Sequence, residues 1–158
     1  KSDKFLNKNS IGIEISNPGY KNGYKKFNKK QINCLIKISK KIIKKYKIKK
    51  NHILGHSDIA PLRKKDPGEK FPWKFLASKN IGIWHKINSK KYKNLRGKKL
   101  ELKIDIFLKK MKKFGYPINY SNINELKKII KSFQMRFRPE LVDGKLDKEC
   151  FFIIKSLI

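Results

Sequence analysis

The sequence predicts an α/β fold followed by a small three-helix unit, and three observations predict it. One short apolar stretch alternates at period two. A longer stretch repeats at helical spacing between two turn-rich loops, and the C-terminal third keeps helical spacing with only two breaks.

The first element is "SIGIEIS" (Ser10 to Ser16), where Ile11, Ile13 and Ile15 face one way and Gly12 and Glu14 the other, as in a half-buried strand. The loop "NPGYKNGYKKF" follows, with two glycines, a proline and two tyrosines. Asn28 with Gln31 three residues on has the form of a capping box. Beyond it Ile32, Leu35, Ile36, Ile42, Ile43 and Tyr46 keep one helical face, so a helix is expected from about Lys29 to Lys47. "HILGH" is read as a short strand ending at His56, and "PWKFLASKN" as a short helix opened by a proline. From Gly82 to Leu100 the pattern is lost among lysines. Leu102, Ile106, Leu108, Met111 and Phe114 then give a helix ended by "FGYP". Ile123, Leu126, Ile129, Ile130, Phe133 and Phe137 give a second, ended near Pro139, and "LVDGKLDKECFFIIKSLI" gives a turn and a third. Residues 1–85 are therefore assigned to one domain, 86–100 to a linker and 101–158 to the helical domain. Phe133 and Phe137 read as core, and Asp143 with Gly144 as a structural turn.

With 158 residues, 39% of them hydrophobic, the chain can bury one ordinary core, or a modest core and a small satellite. The formal net charge of +30 invites a nucleic-acid reading. Yet the basic residues comprise four Arg (Arg63, Arg96, Arg136, Arg138) against 38 Lys, and Arg is the residue suited to bidentate phosphate and guanine contacts. Lys, Ile and Asn, which share A/T-rich codons, make up nearly half the chain. The charge is read as codon drift on solvated faces, with no specific nucleic-acid partner, though it attracts polyanions generally. No apolar run is long enough to cross a membrane. Cys34 and Cys150 fall in separate domains and are expected to be two buried free thiols.

The loop "GHSDIAPLRKKDPG" (Gly55 to Gly68) has neither helical nor strand periodicity, yet collects His56, Asp58, Lys64 and Asp66. His56 and Asp66 offer an imidazole and a carboxylate, both good zinc ligands. Lys64 is placed to stabilise negative charge on an attacked carbonyl, and Glu14 to orient or deprotonate a water. Spacing alone leaves two readings open: a metal site, or a bracing His beside a turn Asp. Asp58 reads as a turn or capping residue; His52 and His85 read as packed or hydrogen-bonded without metal.

"NSIGIEISNPGY", a helix, and then "LGHSDIAPLRKKDPGEKFPW" resemble the zinc-dependent N-acetylmuramoyl-L-alanine amidases of the AmpD/AmiD type, a superfamily that includes the peptidoglycan recognition proteins. "FGYPINYSNINELKKIIKSFQMRFRPELVDGKLDKECF" resembles the three-helix peptidoglycan-binding domain found at the C-terminus of such enzymes. The resemblance implies a mixed β-sheet with flanking helices and Zn2+ as cofactor. His56 and Asp66 would be metal ligands, Glu14 the catalytic glutamate and Lys64 the transition-state lysine. The implied reaction is hydrolysis of the amide between N-acetylmuramic acid and the L-alanine of the stem peptide by zinc-activated water. The implied partners are peptidoglycan and muropeptides, met by a monomer in the periplasm, with the full-length form associated with the outer membrane. The family's first zinc ligand is a His on a strand well upstream of "IGIEI". This chain starts thirteen residues before Glu14, so the fold is expected to be N-terminally incomplete. A non-catalytic peptidoglycan-binding remnant stands as the alternative.

Overall fold

The computed structural model describes residues 8–88, 92–98 and 104–158. It is helical: α1 spans Lys29–Tyr46, α2 His56–Ile59, α3 Trp73–Ser78, α4 Ile104–Phe114, α5 Ile123–Phe137 and α6 Lys148–Leu157, with 3-10 turns at Tyr20–Asn22, Lys50–His52 and Lys93–Leu95. Leu102, which its spacing assigns to α4, lies outside the described residues.

The expected mixed β-sheet is absent: among the described residues no sheet forms, and Asp147 alone makes an isolated bridge. Residues 10–16 carry the alternating pattern without a neighbouring strand. A strand needs a partner's N–H and C=O groups and a packed face, and a period-two stripe supplies neither by itself. Ile11 and Ile13 are accordingly 50% and 41% exposed, and only Ile15 of the three reaches a hydrophobic cluster. "HILGH" is no strand either. His52 closes a 3-10 turn, and His56 opens α2.

Apart from α2, the described helices form where their caps and faces predict. Asn28 Oδ1 accepts the Gln31 N–H at 2.8 Å, and Gln31 Oε1 accepts the Asn28 N–H at 3.1 Å, so α1 starts on a complete capping box. Asn122 accepts the amides of Asn124 and Glu125 at the head of α5. Asp147 accepts that of Cys150 at the head of α6.

Two hydrophobic clusters result. One gathers Phe107, Met111, Ile129, Phe133, Phe137 and Ile154 from α4, α5 and α6, and Leu62, Ile83 and Trp84 pack against it. The other joins Ile32 and Leu35 of α1 to Phe71, Trp73, Leu76 and Ile81, and Trp84 touches this one too. The segment 92–98 lies along α6: Arg96 donates to Glu149 through Nε at 2.6 Å and Nη2 at 2.9 Å, and the Gly97 N–H donates to Asp147 at 3.0 Å. Asp143 and Gly144 form a turn held by Gln134, which donates to Asp143 Oδ1 and accepts the Gly144 N–H. One of the two free thiols departs from expectation. Cys150 is buried, whereas Cys34 is exposed because it sits on the solvent side of α1.

Candidate functional site

The loop from Gly55 to Gly68 is closed on itself by its backbone. The Ser57 N–H donates to the Asp66 carbonyl at 2.9 Å, joining the segment that carries His56 to the segment that carries Asp66. The close approach requires glycine at both ends. A Cβ on Gly55 would lie 2.6 Å from Pro67 Cδ, and one on Gly68, whose φ is +80°, would lie 2.6 Å from the hydroxyls of both Tyr20 and Tyr24. Tyr24 fixes the turn from outside by donating to the Pro67 carbonyl at 2.7 Å while accepting the Lys70 N–H at 3.0 Å. Tyr20 donates to Glu69, and its ring lies 4.5 Å from that of Tyr24. Burial holds the Tyr24 hydroxyl up at about 12, so it remains a donor through the physiological range.

This framework brings His56 and Asp66 together. His56 Nδ1 and Asp66 Oδ2 are 2.5 Å apart, with both side chains about half exposed. The contact is a direct hydrogen bond, and an imidazole nitrogen and a carboxylate oxygen are both donor types that a zinc ion takes. Shared Zn2+ ligation, with bonds of about 2.0–2.1 Å in tetrahedral geometry, would set the donors roughly 3.3 Å apart. The two atoms would have to part from their present 2.5 Å contact to share an ion. The pair fits two of the three protein positions a catalytic zinc takes. Among the described residues, no group of three or more His, Cys, Asp and Glu side chains converges. His52 lies exposed in its 3-10 turn, and His85 is half-buried with Nε2 3.1 Å from the Phe137 carbonyl.

Lys64 is exposed just beyond the turn, its N–H bonded to the Ala60 carbonyl at 2.9 Å. Glu14 is exposed in the segment preceding the two tyrosines. No hydrogen bond or ion pair among the described residues joins either side chain to His56 or Asp66.

Asp58 does far more than cap. Its Oδ2 accepts the Gly55 N–H at 2.8 Å and Arg136 Nη1 at 2.6 Å, and its Oδ1 accepts the Tyr116 hydroxyl at 2.7 Å. Arg136 also donates to the Ile53 carbonyl at 2.9 Å and lies 3.9 Å over the Trp73 ring. Ser132 donates to the Ser57 carbonyl at 2.5 Å. Burial first, and then the Asp58 carboxylate, push the Tyr116 hydroxyl well above its ordinary range, so it stays protonated and donating. None of these supports was read from the sequence. The available signal was Arg136 itself, an Arg between Phe133 and Phe137 on the buried stripe of α5.

Residues 3–69 match the family model described as N-acetylmuramoyl-L-alanine amidase. N-acetylmuramoyl-L-alanine amidase AmiD of Escherichia coli (strain K12) is 36% identical over 161 residues, covering 97% of this chain. The chain is a relative of the AmpD/AmiD-type amidases. It spans 58% of the AmiD sequence. Haemophilus influenzae AmpD, a 1,6-anhydro-N-acetylmuramyl-L-alanine amidase, is 39% identical over 71 residues, 44% of this chain and 36% of its own. The structure of E. coli AmiD in complex with anhydro-N-acetylmuramic acid-L-Ala-D-gamma-Glu-L-Lys superposes with a TM-score of 0.76 at 35% identity, over 85% of this chain and 53% of that one. The AmpDh3 structure from Pseudomonas aeruginosa gives 0.73 at 32%, over 85% and 54%. The likeness to AmiD thus runs through the Gly55–Gly68 loop and the C-terminal helices together.

Proposed function

We propose that this chain works as a zinc-dependent N-acetylmuramoyl-L-alanine amidase, hydrolysing the amide between the lactyl group of N-acetylmuramic acid and the L-alanine of the stem peptide. The observation that carries the reading is the convergence of His56 and Asp66 within 2.5 Å on a loop inside the segment matched by the amidase family model. His56 and Asp66 would hold the metal. The chemistry a bound Zn2+ supplies is Lewis acidity, which polarises the scissile carbonyl and makes water a competent nucleophile near neutral pH. Glu14 takes up the proton of the attacking water and returns it to the leaving amine. Lys64, two residues from Asp66 and free to swing, stabilises the negative charge that develops on the carbonyl oxygen. The loop that carries Tyr20 and Tyr24 would flank the bound glycan and peptide. The substrate sets the place of work: the cell wall, on the periplasmic side.

The muropeptide bound to AmiD, a 1,6-anhydro form with an L-Ala-D-gamma-Glu-L-Lys stem, supplies the first test substrate. The zinc-loaded protein should release free stem peptide from it, detected by mass spectrometry, and a chelator or His56→Ala should abolish release. A second reading is favoured by the two-donor convergence among the described residues: a peptidoglycan binder without turnover. Pelleting with purified sacculi, with no peptide released from them, would select that reading.

A further inference from the structure

We infer that the C-terminal helical unit is a working part of the metal loop, with Arg136 and Tyr116 as positioning residues that hold His56 and Asp66 at their spacing. The inference deepens the amidase reading and rests on it for what the loop holds. Its geometry is independent of that reading. Asp58 lies two residues after His56 and is 7% exposed, so the position of its carboxylate fixes the start of α2. Three groups set that position. One is local, the Gly55 N–H. The other two, Arg136 from α5 and Tyr116 from the turn after α4, come from the helical unit. Ser132 adds a bond to the Ser57 carbonyl, while the Ser57 N–H reaches across to Asp66. The chain of contacts therefore runs from α5 through Asp58 and Ser57 to both candidate ligands, and every link after α5 is inside the loop. Arg136, 2% exposed, has a further hold on the strand of chain entering the loop through the Ile53 carbonyl. Supporting partners of this kind set the orientation of metal ligands and hence affinity.

The test uses the full chain with Tyr116→Phe, which removes one hydroxyl, and Arg136→Lys, which keeps the charge but loses the fork joining Asp58 to Ile53. Ile154→Val weakens the helical core without touching Asp58 and serves as control. The first readout needs no metal: hydrogen exchange at the Ser57 amide. The second is Zn2+ affinity by competition with a chromophoric chelator. Ser57 exchange should accelerate, and zinc affinity should fall, by roughly tenfold in Tyr116→Phe and more in Arg136→Lys, with Ile154→Val within about twofold of wild type. Wild-type values for both positioning variants, or equal losses in Ile154→Val, would overturn the inference. If the wild-type chain itself binds no zinc, the amidase reading fails, and the exchange result still decides whether the helical unit braces the loop.

Discussion

Replacing Asp58 by alanine tests the buried polar centre most directly. The substitution removes an acceptor that serves three donors, Gly55 N–H, Arg136 Nη1 and the Tyr116 hydroxyl, at 2.6 to 2.8 Å. The side chains of Arg136 and Asp58 are 2% and 6% exposed, so water does not readily replace the lost carboxylate. Breaking a buried ion pair from one side costs about 3–5 kcal/mol, chiefly through the charge left uncompensated. The stranded Tyr116 hydroxyl overlaps with that penalty and does not simply add to it. Taking about 4 kcal/mol, and a urea m-value near 2 kcal/mol per molar, the unfolding midpoint should drop by roughly 2 M. Asp58→Asn retains an oxygen for Tyr116 and loses the charge, so its midpoint should fall between the two. Urea titrations followed by far-UV circular dichroism measure both. A midpoint shift in Asp58→Ala equivalent to less than about 1 kcal/mol would refute the claim that the pair is buried and its partners unreplaced.

Four further outcomes are expected. Lys64→Ala should lower turnover at least about tenfold while zinc affinity stays unchanged, since its part is charge stabilisation and not coordination; parallel metal loss by competition titration would contradict this. Gly68→Ala should destabilise the loop, because φ is +80° and the added methyl meets both tyrosine hydroxyls at 2.6 Å; a lowered melting temperature and perturbed tyrosine absorbance report it. In native protein one thiol should react with Ellman's reagent, Cys34, while Cys150, whose burial pushes it up to about 12, reacts only after denaturation. His85 is held below its ordinary value chiefly by burial, which outweighs the pull of the Phe137 carbonyl, Glu140 and Glu149. The folded form stays neutral while the unfolded chain takes up a proton below about pH 6.5, so stability should fall on acidification from there. His85→Asn should flatten that slope in denaturant titrations across pH 5–8.

What could be read in advance divides along physical lines. Most of the described helices form from local information: α1 carries its own capping box in Asn28 and Gln31, and α4 and α6 bury faces set by spacing within one segment, whereas α2 has no periodicity to announce it and the second half of α5 is buried all round, from Ser132 to Phe137. The strand at residues 10–16 needs information the stretch does not hold, namely a neighbour to pair with, and its pattern alone misleads. His56 and Asp66 lie ten residues apart in one loop bounded by Gly55 and Gly68, a spacing that leaves a metal site and a bracing pair both open, and the family resemblance is what joins them as ligands. Asp58 was not legible in advance. Its partners are 58 and 78 residues away, and a side chain that looks like a turn residue locally becomes the meeting point of two distant helical elements.

Trp84 has a consequence of its own. The indole packs against both hydrophobic clusters, and its ring lies 6.0 Å from Phe137. Neither cluster can come apart without stripping one face of this side chain. Thermal unfolding should therefore be coupled between the two clusters, and in a Trp73→Phe background the emission of Trp84 should change in a single transition.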